Sequence, residues 1–252
     1  VTSIKNGTIF VSDLRFPIVS SFDAISRGIK GSLPNVRTQL KDYLNVNEAR
    51  IHNLFVSSYF KPSNLLYGRI TLGYLEHMYA GLSSEILFAP IESNISLGVE
   101  VNAVEAREFR QLLGTRQING LQKVNGHISG YWDTDFYDYF AQLDLGRYLA
   151  GDKGGTFTLS RNFKNGWKVG GYFALTDVSF NDFGEGSFDK GFFFKIPINA
   201  FVPYETRYAF SENIKPIQGD GGARLEVPGR LNEVISEYKI NKINGTWSRI
   251  WR

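Results

Sequence analysis

Two runs of alternating residues around an Asn-Gly turn constrain this chain more than any other feature. Phe157, Leu159 and Arg161 alternate with Thr158, Ser160 and Asn162. After Lys164-Asn165-Gly166, residues Trp167, Val169, Gly171, Phe173 and Leu175 alternate with Lys168, Gly170, Tyr172, Ala174 and Thr176. Successive side chains of a strand point to opposite faces, so a period of two on both sides of such a turn predicts an antiparallel hairpin. One face of the hairpin is mainly aliphatic and aromatic, the other small, polar and charged. Two architectures accept that pattern: a soluble sandwich with its apolar face on a core, or a barrel with its apolar face on lipid and its polar face on water.

The alternation recurs along the chain. Thr8 to Ile18 reads as a first strand, followed by Ile51 to Phe60, Leu65 to Glu76, Ala80 to Ala89 and Ile95 to Val104. A longer link, Glu105 to Gly120, precedes Val124 to Trp132 and Phe136 to Arg147. The central hairpin follows, then Gly191 to Ile198 and a weaker strand over Arg207 to Ile217. Ser20 to Asn47 breaks the pattern. There Pro34 and Asn35 supply a breaker and an N-cap, and Val36, Leu40, Tyr43 and Leu44 fall at helical spacing. A short amphipathic helix is expected, or equally a loop folded over the barrel end. From Leu231 the spacing is helical again, which predicts a barrel region over residues 1–230 and a helical or polar extension over 231–252.

This amounts to roughly eleven or twelve strands of about nine to twelve residues, the length a tilted strand needs to cross a bilayer. Globular strands average about five or six. Strand length therefore favours an all-β fold, an antiparallel transmembrane β-barrel, over a sandwich. The polar faces point the same way. They carry Asp13, Arg15, Arg69, Glu85, Glu100, Lys123, His127, Asp138 and Asp144, a mixture that a wet lumen tolerates and a dry core does not unless each charge is paired. On a soluble sheet the same residues would form the solvent face.

Composition supports turn-rich β structure: 15% aromatics stand beside 26 glycines and only 21% charged residues. A net charge of +3 without a Lys/Arg run argues against nucleic acid as a partner. The lack of cysteine removes thiol catalysis, thiolate metal sites and disulfides. No run reaches the roughly 18 apolar residues of a transmembrane helix, which says nothing against a barrel. Val1 is neither an initiator Met nor part of a signal peptide, so the chain reads as a processed protein or a piece of a longer one.

Several motifs resemble the YjbH family. They are LYGRITLGYLEHMYAGLSSEILF (Leu66 to Phe88), GRYLAGDKGGTFTLSRNFKNGWKVGGYFALTDVSF (Gly146 to Phe180), FGEGSFDKGFFFKIPI (Phe183 to Ile198) and DGGARLEVPGRL (Asp220 to Leu231). The resemblance covers nearly the whole chain, in matching order, and is to the C-terminal part of longer proteins. It implies an outer-membrane β-barrel of a Gram-negative bacterium that serves exopolysaccharide or capsule production. The implied partners are the exopolysaccharide chain, outer-membrane lipid, and periplasmic and lipoprotein export components. It implies no catalysis and no cofactor, and offers no site residues to carry over.

From alternation alone, the candidates for contact with a polysaccharide in the lumen are Arg69, Glu85, Glu100, Lys123, Asp138 and Asp144. Glu185, Asp189 and Lys190 are loop candidates, because Gly184, Gly186 and Gly191 around them permit close backbone approach. An ordered turn connecting two strands explains that stretch more simply, since glycine-rich turns are routine in barrels. The Asp220 to Arg230 segment is either a docking element or the turn leaving the barrel. Asp133-Thr134-Asp135 has the look of a metal-binding motif but falls in a hairpin turn without a nucleotide-binding context. Glu85 and Glu100 on neighbouring strands also fit a glycosidase pair, although carboxylates of a lumen wall account for them more simply. The histidines His52, His77 and His127 lack ligand spacing, so no metal is expected. Tyr131, Trp132, Phe136, Tyr137, Tyr139 and Tyr148 form an interfacial girdle or, where they face the lumen, a sugar-stacking platform.

Overall fold

Backbone N–H and C=O groups of an extended chain must find partners in neighbouring strands, and here each strand finds them in the next. The computed structural model describes residues 2–5, 7–16, 32–44, 49–134, 136–163, 165–179, 188–198, 209–214 and 220–236. Thirteen strands form one antiparallel sheet: β1 (Thr2–Lys5), β2 (Thr8–Arg15), β3 (Arg50–Phe60), β4 (Leu66–Tyr74), β5 (Tyr79–Phe88), β6 (Ile95–Arg107), β7 (Thr115–Arg116), β8 (Val124–Asp133), β9 (Tyr139–Arg147), β10 (Lys153–Asn162), β11 (Lys168–Thr176), β12 (Asp189–Pro197) and β13 (Ala209–Ile214). They lie in sequence order except that β8 follows β6, with β7 paired to the end of β6. Among the described residues no pairing joins β1 to β13, so the sheet runs from one to the other without a closing ladder. The helices are single turns, α1 (Leu40–Leu44) and α2 (Leu231–Ile235).

The central hairpin pairs Asn162 with Lys168 and Gly154 with Thr176. Its turn is closed by Phe163 N–H to Trp167 C=O at 2.8 Å and Gly166 N–H to Phe163 C=O at 2.9 Å. β1 and β7 exceed the expected strand count because four and two residues are too short to show a period. β6 runs three residues beyond Val104, where Ala106 and Arg107 pair with β7. β9 starts at Tyr139 rather than Phe136, since Tyr137 and Asp138 turn with φ of 50° and 59°.

The sheet's polarity is inverted relative to a soluble sheet. On one face Ile70, Leu72, Ile86, Leu97, Val99, Val101, Ile128, Leu143, Leu145, Leu159, Val169 and Leu175 are exposed. On the other, Ser57, Arg69, Thr71, Ser83, Glu85, Glu100, Asn102, His127, Ser129, Asp144 and Ser160 are buried. We call these the bare face and the covered face. Among the described residues the covering comes mainly from residues 32–44, which include α1, and residues 220–236, which include α2, with Phe109, Ile118 and Leu121 of the β6–β8 link packing at one end.

Apolar clusters cap the covered face at both ends. At the end that carries the long connections, Val36, Tyr43, Leu75, Met78, Tyr79, Val104 and Leu149 pack with Ala223, Leu225 and Val227. At the end of the short turns, Leu87, Ala89, Tyr131 and Phe140 pack with Leu231. Residues 220–236 therefore traverse the covered face from one end to the other, with a polar belt between the two caps. Leu231 and Asn232, at the start of the expected extension, are buried in this packing, while residues 237–252 lie outside the described residues.

Close strand approach depends on a few glycines. Gly81 stands opposite Gly73 in the β4–β5 ladder, and its φ is +151°. A Cβ there would lie 2.1 Å from the Ala103 backbone oxygen of β6. Gly81→Ala is expected to cost about 1–3 kcal/mol of stability, read as a lowered urea midpoint. Gly130→Ala, whose Cβ would meet nothing nearer than 3.9 Å, should leave the midpoint nearly unchanged.

Candidate functional site

The polar belt begins as a row of side chains fixed by strand register. Tyr59, Arg69, Glu85, Glu100 and His127 stand directly opposite one another across β3, β4, β5, β6 and β8. Each sits on the covered face because the pleat places every second residue there. The row sets two glutamates side by side, and like charges at directly opposed positions repel. One base on the sheet, Arg69, serves both. Its Nη2 lies 3.4 Å from Glu100 Oε2, and its Nε lies 3.0 Å from Glu85 Oε2, near enough for an ion pair though misaligned for a hydrogen bond.

The remaining cations come from far along the chain. Arg230 Nε donates to Glu100 Oε2 at 2.7 Å, and Arg224 Nη1 lies 2.8 Å from Asp144 Oδ1 and its Nη2 3.4 Å from Glu100 Oε1. The N–H of Leu231 donates to Glu85 Oε2 at 3.0 Å, and Gln142 Nε2 donates to Asp144 Oδ2 at 2.8 Å. In this belt three guanidinium groups thus face three carboxylates, two of the three bases being supplied by residues 220–236. Desolvating an ion costs several kcal/mol unless partners replace its water, and reciprocal pairing meets that demand.

Backbone contacts seat the segment along its length. Tyr59 Oη donates to Gly229 C=O at 2.9 Å, and Arg230 Nη2 to Leu225 C=O at 2.6 Å. At the other end Asp220 accepts the N–H groups of Arg37 at 2.6 Å and Thr38 at 3.0 Å, and the Thr38 hydroxyl at 3.1 Å. Arg37 bridges onward, from Nη1 to Glu76 at 2.8 Å and from Nη2 to Arg224 C=O at 2.8 Å. Burial pushes the Asp220 carboxyl above the usual carboxylate range, against the pull of the Arg37 and Thr38 N–H groups. Asp152, which accepts the Gly222 N–H at 2.8 Å, is raised by burial in the same way.

Of the residues expected in the lumen, Arg69, Glu85, Glu100 and Asp144 come together in this belt, in contact with residues 220–236. Lys123 does not join them. It precedes β8, is exposed, and pairs with Glu105 at 2.9 Å. Asp138 does not join them either, being exposed in the turn before β9. Glu185 lies outside the described residues, whereas Asp189 and Lys190 open β12 rather than a loop. Asp135 likewise lies outside them. Tyr131 and Tyr148 are buried on the covered face, and Tyr148 meets His127 edge-on at 4.7 Å; Trp132, Phe136 and Tyr137 are exposed. Among the described residues no group of three His, Cys, Asp or Glu side chains is placed to hold a metal ion.

Sequence reasoning missed Arg37, Arg224 and Arg230. Arg224 and Arg230 belong to an irregular stretch in which no periodicity assigns a face. Charge arithmetic was the available signal, since Glu85, Glu100 and Asp144 outnumber Arg69 and call for bases from elsewhere. Asp220 to Arg230, read from sequence as a docking element or an exit turn, lies packed as a strap across the covered face.

Glu100→Ala, which leaves Arg69, Arg224 and Arg230 short of a buried counter-charge, is expected to cost about 3–5 kcal/mol by urea unfolding. Combined with Arg230→Ala, the loss should fall well short of the sum of the two single losses, because the same contact is removed twice.

Comparison with known proteins adds to this geometry. The family model YjbH, described as "Exopolysaccharide biosynthesis protein YbjH", matches residues 2–237. The "Uncharacterized lipoprotein YjbH" of Escherichia coli (strain K12) is 34% identical over 210 residues. That alignment covers 83% of this chain and 30% of the relative, so the chain spans less than a third of that protein's length. No solved structure matches the chain.

Proposed function

The chain belongs to the YjbH exopolysaccharide-biosynthesis family, and from that premise we propose that it forms an outer-membrane β-barrel region assisting export or surface assembly of an exopolysaccharide or capsule. The observation that carries this reading is the inverted polarity of the sheet. Strands of eight to thirteen residues, β2 to β6 and β8 to β12, expose an apolar face. Their charged and hydroxyl side chains are buried on the opposite face. A soluble carbohydrate-binding sandwich requires the reverse arrangement, whereas a barrel in lipid requires this one. The relative's description as a lipoprotein suits a place in the cell envelope.

In a barrel the covered face becomes the lumen wall. Polysaccharide passage requires polar groups that bind weakly at each step, and partners in the periplasm or on lipoproteins would deliver the chain. Glu85 and Glu100 act here as counter-ions, and the protein catalyses nothing. Unchanged polysaccharide length in Glu85→Gln and Glu100→Gln variants is the expected outcome, and a changed length would revive the glycosidase reading. A second reading is favoured by residues 220–236, which fill part of the lumen: a scaffold barrel that docks export components without conducting. Single-channel recording of the full-length protein separates the two.

Outer-membrane extracts of the full-length protein should migrate faster on a gel before boiling than after it. Equal migration, with the protein in the soluble fraction, would overturn the membrane reading. Val99→Arg, near the middle of β6 on the bare face, is expected to cost about 2–4 kcal/mol at the bilayer midplane and to reduce the amount of folded band.

A further inference from the structure

The two halves of the covered face differ. Over β4 to β8, Arg69, Ser83, Glu85, Glu100, Asn102 and Ser129 lie buried beneath or beside residues 220–236. Over β10 to β12, Ser160 and Ala174 are buried as well, but Thr156, Thr158, Tyr172, Asp189 and Phe193 of the same face are only partly buried. The segment is thus seated toward one wall and leaves a cleft along the other. That cleft has a volume of about 160 Å³. A water needs roughly 10–15 Å³ on the same measure, so the space suits a sugar residue rather than a single water.

From this asymmetry we infer that the cleft between residues 222–226 and strands β9 to β13 is a carbohydrate-binding subsite for uncharged, hydroxyl-rich hexose units. The inference deepens the export reading and rests on it for the identity of the ligand class. The lining supplies what vicinal hydroxyls require. Thr156 offers a hydroxyl that shares one hydrogen bond with Tyr148 Oη at 2.7 Å and keeps capacity for another, Asn213 an amide that donates and accepts, and Asp189 an acceptor. Tyr172 adds an aromatic ring with an apolar face for the C–H side of a pyranose and a hydroxyl at its tip. Arg37, Arg224 and Arg230 border the cleft with their charges already met by Glu76, by Asp144 and Glu100, and by Glu100, and Glu226 adds a carboxylate to the lining, so the site presents no uncompensated guanidinium that would select an anionic sugar. The ion pairs that hold the segment against β4 to β8 keep the cleft open, and binding requires no displacement of the segment.

Thiol mapping of the full-length protein tests this. The 252 residues contain no cysteine, so Thr156→Cys places one thiol of this region in the cleft, and Ser83→Cys places one under the segment. Thr156→Cys should react with a charged thiol reagent, and Ser83→Cys should react at least tenfold more slowly. A neutral dextran oligosaccharide should slow the Thr156→Cys reaction several-fold, and a polygalacturonate oligosaccharide should slow it less. Adding Tyr172→Ala or Asp189→Ala to Thr156→Cys should abolish the protection.

Protection by the acidic oligosaccharide alone would overturn the assignment to uncharged sugars, and protection by neither would overturn the subsite. Equal reactivity at the two positions would show that the segment is not seated as described, and would overturn the cleft with it. Because the mapping runs on purified protein, it reads the subsite independently of where the protein fractionates. Protection in a protein absent from the outer membrane would sink the export reading and leave the subsite standing.

Discussion

Two glutamates forced side by side by strand register, in a place from which water is largely excluded, are the constraint on which the rest of this structure depends. β5 and β6 cannot pair as they do without setting Glu85 beside Glu100. One arginine on the neighbouring strand cannot neutralise both together with Asp144. Arg224 and Arg230 therefore have to arrive from the other end of the chain, and the segment that brings them becomes the strap across the covered face. The apolar caps around Leu225 and Leu231 add non-directional burial at either end of that strap. The strap's register is fixed directionally, by the ion pairs of Arg224 and Arg230 with Asp144 and Glu100 and by the hydrogen bonds at Asp220, Gly222, Gly229 and Leu231.

Inverted polarity changes what each face demands. The bare face needs only to be apolar and of sufficient height, and the alternation of β6 meets that with almost any combination of Leu, Val and Ile. The covered face must satisfy donors and acceptors one by one, because a buried polar group without a partner costs free energy. Specificity in this molecule is accordingly written on the polar side. There a change of one residue type alters a network of bonds, whereas on the bare face it alters only an area.

This division also explains which features were legible in the sequence. Alternation over nine or more residues placed β3 to β6, β8, β9 and β11 to within a few residues, and it put Arg69, Glu85, Glu100 and Asp144 on the covered face. It failed where a strand ends. Lys123 and Asp138 were assigned a face by extending the parity of β8 and β9 past their first paired residues, and beyond that limit the chain turns. β1 and β7 carry too few residues to show a period. Arg224 and Arg230 were out of reach for another reason: residues 223–230 form no regular element, so their neighbours are set by tertiary packing that no local spacing encodes. The helical spacing at Leu231 is met by α2 over Leu231–Ile235, which packs against the sheet, while residues 237–252 lie outside the described residues.

The strap has a consequence for how the protein comes to be folded. Apart from β6 with β8, every ladder from β1 to β13 joins strands consecutive in sequence, so much of the sheet can zip up hairpin by hairpin, although residues 16–49 must close between β2 and β3. The bond between Arg230 and Glu100 spans 130 residues and can form only after the end of this stretch has emerged. Until then the wall holds a surplus of negative charge, which keeps its inner side hydrated and resists premature collapse. Residues 220–236 are thus the ones that dry the covered face, and their docking becomes the event that commits this part of the fold.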